Sequence, residues 1–86
     1  MNLIETQIAE VVRLLERRNG TCNQSDETHF EISNDYDANL KDIYRSIEGR
    51  RYITQERTWR FHLILLGKLI DKLRIWNNPE QFRVNE

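Results

Sequence analysis

The chain has 86 residues, a net charge of −1 and a single cysteine. That length gives one domain that buries roughly 60–70% of its unfolded surface; near-zero net charge argues against a protein that coats nucleic acid by bulk charge. One cysteine excludes an internal disulfide and fits a reducing compartment. Charge is unevenly spread. Residues 1–40 carry eight acids and three arginines, whereas residues 41–86 carry ten Lys or Arg and six acids, so the two halves attract each other.

Residues 2–18 read as the first helix. Asn2 is placed to cap it with Glu5 three residues on. Leu3, Ile4, Ile8, Val11, Val12, Leu14 and Leu15 make one broad apolar face. Asn19-Gly20 is a stop, with Gly20 expected to take the left-handed conformation past the helix end. The N-terminus enters this charged amphipathic pattern directly, which predicts no signal peptide and a cytoplasmic protein.

Residues 21–34 form a polar, acidic interval within which Cys22 to Thr28 reads as a mobile loop. Thr28-His29-Phe30-Glu31-Ile32 alternates apolar and polar, as a short strand would. A lone strand is unstable in water, and its candidate partners are Arg51-Tyr52-Ile53 or Gln81-Phe82-Arg83-Val84. The second helix is predicted over 35–48, capped by Asn34 or Asp35 and stopped by Gly49, with Leu40, Ile43, Tyr44 and Ile47 on one side.

The third helix is predicted over 54–76, with Thr54 as cap and Pro79 beyond its end. Trp59, His62, Leu66, Leu69, Leu73 and Trp76 fall on one stripe at 3-4-3-4-3 spacing. Leu66, Leu69 and Leu73 should bury against Ile8, Val11 and Leu15 and against Ile43 and Ile47. Phe61, Ile64 and Ile75 sit on a second apolar strip, which predicts a homodimer through that strip. Charges interrupt the run from Arg57 to Arg74, so it is not a membrane span. Residues 77–86 form a tail. The expected fold is therefore mainly α, a small three-helix domain with room for a two-stranded β ribbon.

Three groupings bear on function. Asp26, Glu27, Glu31, Asp35 and Asp37 could present carboxylates to a basic groove on a larger protein, as small inhibitors of nucleic-acid sites do. Arg45, Arg50, Arg51, Arg57 and Arg60, interleaved with Tyr52, Trp59 and Phe61, suit phosphates and stacked bases. Arg57 and His62 have the spacing R-x4-H. That pair resembles the motif of the HEPN family of helical ribonucleases; the resemblance implies Arg and His meeting across a helical dimer interface and cutting RNA without metal. Against it, His62 lies on the apolar stripe, where a core histidine is the ordinary reading. The leading expectation is a non-enzymatic protein-protein interaction module, or a small inhibitor or regulator, docking on a larger protein. A nucleic-acid-binding regulator and a HEPN-like ribonuclease are the alternatives. No cofactor and no metal site is predicted, since Cys22, His29 and nearby acids lack the count and spacing of a closed zinc site.

Overall fold

The computed structural model describes residues 2–79. Helix α1 spans Leu3–Leu14 and runs into a 3-10 turn, Glu16–Arg18. Strands β1 (Thr21–Gln24) and β2 (His29–Ser33) follow, then helix α2 (Ala38–Ser46), strands β3 (Arg51–Ile53) and β4 (Thr58–His62), a 3-10 turn (Leu63–Leu65) and helix α3 (Leu66–Asn77). The four strands form one antiparallel sheet in the order β1-β2-β4-β3. This is an α+β fold and not the mainly α domain expected. No helix among the described residues is long and apolar enough to cross a membrane.

The largest correction lies in 54–76. Its first half is the turn and strand of a hairpin, and only Leu66–Asn77 is α-helix. Thr58-Trp59-Arg60-Phe61-His62 alternates with a period of two as well as fitting the helical stripe, and pairing on both sides decides between the two. Phe61 faces Phe30 across β2, and Trp59 faces Tyr52 across β3. The predicted strands 28–32 and 51–53 both form, but β4 lies between them; neither pairs with the other. Residues 81–84, the other proposed partner, lie outside the described residues. The expected mobile loop contains β1 and the β1–β2 turn.

The helix ends were partly legible. Asn2 caps α1, its side chain accepting from Glu5 N at 2.8 Å. Past that helix the left-handed residue is Asn19, with φ 52°, and not Gly20. Gly20 is needed for a different reason: a Cβ there would overlap the Leu15 side chain. Helix α2 starts later than expected, because Asp37, not Asn34 or Asp35, is its cap; Asp37 accepts from Asn39 N and Leu40 N at 2.9 and 3.1 Å. Gly49 follows the helix with φ 89°, a conformation that glycine adopts without steric cost.

The core sits between the helices and one face of the sheet. Leu66, Leu69 and Leu73 are buried as predicted, along with Val11, Leu15 and Ile47, while Ile8 and Ile43 are partly buried. Phe30 and Phe61 stack at 5.5 Å, and Tyr44 of α2 reaches Phe61 and Trp59 at 6.1 and 5.5 Å. The acidic and basic halves do meet, through Glu31 with Arg60 and Glu10 with Arg74. Cys22 faces the core, and burial pushes its thiol up to about 12, so it stays protonated.

Phe61 is therefore not part of a self-association strip. It is fully buried, whereas Ile64 and Ile75 are 81% and 50% exposed on two different elements, the 3-10 turn and α3. The strip existed only if one helix carried all three.

Candidate nucleic-acid interface

Beyond the end of β2 the chain crosses to α2 through Asn34–Asp37, and nearly every residue of that crossing is tied down. Asn34 Oδ1 accepts from Tyr44 Oη at 2.7 Å. Asp35 N donates to Arg18 O at 2.8 Å, and the Asp35 carboxylate accepts from Asn19 Nδ2 at 2.6 Å. Asp37 caps α2 and receives Arg18 Nε at 2.8 Å. The Arg18 guanidinium and the cap N–H groups hold the Asp37 carboxyl below its usual range. Tyr36 is the exception. It is 78% exposed, and no hydrogen bond or ring contact to it occurs among the described residues.

A groove of about 730 Å³ opens between this crossing, α2 and the β3–β4 hairpin. Its floor is aromatic. Tyr52 and Trp59, directly opposed across β3 and β4, have ring centroids 4.8 Å apart, and Trp59 leans on Tyr44. Burial raises the Tyr44 hydroxyl pKa, so that hydroxyl remains a neutral donor to Asn34. Tyr36 stands at the rim.

Three cations line the same groove. Lys41 and Arg45 lie one turn apart on α2, and Arg57 projects from the hairpin turn Thr54–Arg57. The groove also contains Asp35 and Asp37, but both are engaged as described. Among the described residues no ion pair engages Lys41, Arg45 or Arg57. Asp37 is paired with Arg18, while Asp35 is bonded to a neutral amide and offsets one of the three cations, so the groove combines exposed rings with a net positive charge, which suits phosphates beside stacked bases.

The predicted basic cluster is split by the fold. Arg45 and Arg57 come together in the groove with Tyr52 and Trp59. Arg51 and Arg60 sit on the opposite face of the same hairpin, where Arg60 is bonded to Glu31, and Arg50 is exposed just before β3. Phe61 is lost to the core. Arg57 and His62 are not the helical pair that the ribonuclease motif requires: one is in a turn with φ 55°, the other at the end of a strand.

The acidic grouping also dissolves into local roles. Asp26 closes the β1–β2 turn by accepting from Thr28 N and His29 N at 2.8 and 2.9 Å. The Thr28 N–H foremost, with His29 helping, pulls its carboxyl down to about 2. Glu31 holds Arg60, while Asp35 and Asp37 hold the crossing. Glu27 alone of the five has no such contact among the described residues. Sequence reasoning missed Tyr36, Lys41 and Tyr44 as groove residues. The available signal was a lone aromatic among acids in a loop, a residue with no core to enter.

No family model matches the sequence, and no curated protein or solved structure matches it significantly.

Proposed function

We propose that the protein is a nucleic-acid-binding module that takes an unpaired strand along the groove between α2 and the β3–β4 hairpin. Bases stack on Tyr36, Tyr52 and Trp59, and phosphates lie against Lys41, Arg45 and Arg57. The observation that supports this most is three unpaired cations lining a groove whose floor is a Tyr-Trp pair. Stacking on a ring is tolerant of sequence because every base has a π-face. A carboxylate surface for a basic partner finds less support, because four of its five acids are engaged within the chain.

The experiment is fluorescence anisotropy with a labelled deoxythymidine 12-mer. Tyr52→Ala, whose ring is half-exposed, should weaken binding by about 1–3 kcal/mol without a matching loss of stability. With three phosphates neutralised, the log–log salt slope should be roughly −2. A flat salt dependence, or an affinity indifferent to both Tyr36→Ala and Tyr52→Ala, would show that the groove does not hold the strand.

A further inference from the structure

The groove holds acceptors as well as rings and cations, because Asn34, Asp35 and Asp37 all line it. Asn34 is engaged at both ends of its amide: Oδ1 accepts from Tyr44 Oη at 2.7 Å, and Nδ2 donates to Asp35 O at 2.6 Å. Both oxygens of Asp37 are taken, Oδ1 by the N–H groups of Asn39 and Leu40 and Oδ2 by Arg18 Nε. Asp35 differs. Asn19 Nδ2 donates to its Oδ2, and its Oδ1 accepts no bond among the described residues. Lys41, Arg45 and Arg57 line the same groove, yet none of them forms an ion pair with it there.

Asp35 is also held in place. Its N–H donates to Arg18 O at 2.8 Å, so backbone and carboxylate are tied to neighbouring residues of the same turn. A negative charge fixed there weakens the groove for phosphates. The loss is recovered where the strand brings a hydrogen-bond donor to the free oxygen. Asp35 directly precedes Tyr36, whose exposed ring stands at the rim, so the acceptor adjoins a ring on which a base is proposed to stack. Phosphate contacts set the register of a strand, whereas contacts to its bases and sugars discriminate. Two groups of a strand supply a suitable donor: the amino group of cytosine, adenine or guanine, and the ribose 2′-hydroxyl. A deoxy strand of thymine or uracil has neither. Its one ring N–H is flanked by two carbonyl oxygens, which a carboxylate repels.

We propose that Asp35 Oδ1 is the discriminating acceptor of the groove. It takes a hydrogen bond from a base amino group or a ribose hydroxyl, and the groove therefore selects strands that carry such a donor over deoxythymidine or deoxyuridine strands. Asn19 is a positioning residue, which presents the carboxylate by holding its other oxygen. Stacking on Tyr36, Tyr52 and Trp59 stays tolerant of sequence, and the selection comes from this one acid. The inference rests on the nucleic-acid function proposed above and names the class of strand that the groove prefers.

The test compares deoxyuridine, uridine and deoxycytidine 12-mers by fluorescence anisotropy at fixed salt and pH 7. The uridine strand differs from the deoxyuridine strand by its 2′-hydroxyls, and the deoxycytidine strand by its amino groups. At least one of the two should bind roughly tenfold more tightly than deoxyuridine, the scale of one hydrogen bond to a charged group. A gain confined to uridine assigns the donor to the sugar; a gain confined to deoxycytidine assigns it to the base. Asp35→Asn keeps the bond to Asn19, because its amide oxygen accepts in place of Oδ2, and turns a donor to the groove. It should tighten deoxyuridine severalfold by removing a negative charge, and abolish the preference. Asn19→Gly suits the left-handed backbone at φ 52° and leaves the carboxylate charged but untethered, so it should reduce the preference. Urea melts check that both variants are folded. Equal binding of all three strands by the native protein, or a preference that Asp35→Asn does not reduce, overturns the inference and leaves the groove standing. No binding of any of the three strands overturns the groove and the inference together.

Discussion

The two faces of the sheet are made by the same strands, one residue apart, and they are organised by different rules. On the inner face Phe30, Ile32 and Phe61 are fully buried against the helices. On the outer face His29, Glu31, Arg60 and His62 are half-buried or exposed, and each has a polar or ring partner at a fixed position. Inner residues are interchangeable in kind, since any apolar side chain of the right volume fills the space. Outer residues are not, because Arg60 needs Glu31 and the two imidazoles need their own donors and acceptors. Stability should therefore be concentrated where β4 carries Phe61 under the helices, and binding at the Trp59 end of the same face, where Tyr52 and Trp59 open to the groove.

The sharpest way to break this comparison is a pair of substitutions on adjacent strands. Phe61→Ala removes a ring with no exposure that touches both Phe30 and Tyr44. It should cost roughly 3–5 kcal/mol, enough to unfold much of so small a domain at 37 °C. Arg51→Ala on the outer face should change stability by less than about 0.5 kcal/mol, since it removes an exposed charge opposed to a like one. Urea melts of the two variants decide. Equal losses would mean that the faces are not energetically distinct.

Much of the helical side of the core could be read from the chain, and the sheet could not, for a physical reason. The burial of Leu66, Leu69 and Leu73 against α1 and α2 follows from local periodicity, and so does the cap at Asn2. From Trp59 to Leu66 two periods fit the same residues: Trp59, His62 and Leu66 step as a helix, while Trp59 and Phe61 alternate as a strand. Choosing between them needs knowledge of β2 and β3, which is non-local. β1 is harder still, because Thr21-Cys22-Asn23-Gln24 has one apolar residue and becomes a strand through its pairing with β2. The groove was half legible. Arg45, Arg57, Tyr52 and Trp59 group by nearness in sequence, but Tyr36 joins them only through the folding of the 34–37 crossing, which is tied to Asn19 and Tyr44; Lys41 stands one turn before Arg45 on α2.

That crossing allows a sharper test, because Asp37 supports the groove without entering the core. Asp37→Ala removes the α2 cap and leaves Arg18 without its partner. The expected cost is about 1–2 kcal/mol, most of it from the cap. The pH dependence has a definite sign. The native carboxyl lies below 3.8, so its stabilisation is present above that value and lost as pH falls through the folded pKa. The gap between native protein and variant, measured by chemical melts, should therefore be constant from pH 5 to 7 and close below about pH 4. A gap that stays open at pH 2.5 would place the effect in packing, not charge.

The smallest expected effect has the opposite sign. Arg57 occupies the left-handed region at φ 55°, where a β-carbon crowds the backbone, in the four-residue turn of the β3–β4 hairpin. The turn is closed by Glu56 N to Ile53 O and Arg57 N to Thr54 O at 3.2 and 3.3 Å, so it needs a residue with this dihedral, and glycine would supply it more cheaply. Arginine there is worse for folding than the alternative, and its side chain has no ion pair among the described residues to compensate. Strain kept at such a position points to a use for the side chain. Arg57→Gly should therefore raise stability by about 0.5–1 kcal/mol while weakening the deoxythymidine 12-mer and flattening its salt slope by about 0.7, the value of one phosphate contact on a single strand. Arg57→Asn, which keeps tolerance for the left-handed turn but not the charge, should weaken binding as much with a smaller gain in stability. If both variants are more stable and bind as well as the native protein, Arg57 is only a poor turn residue, and the cations of the groove reduce to the two on α2.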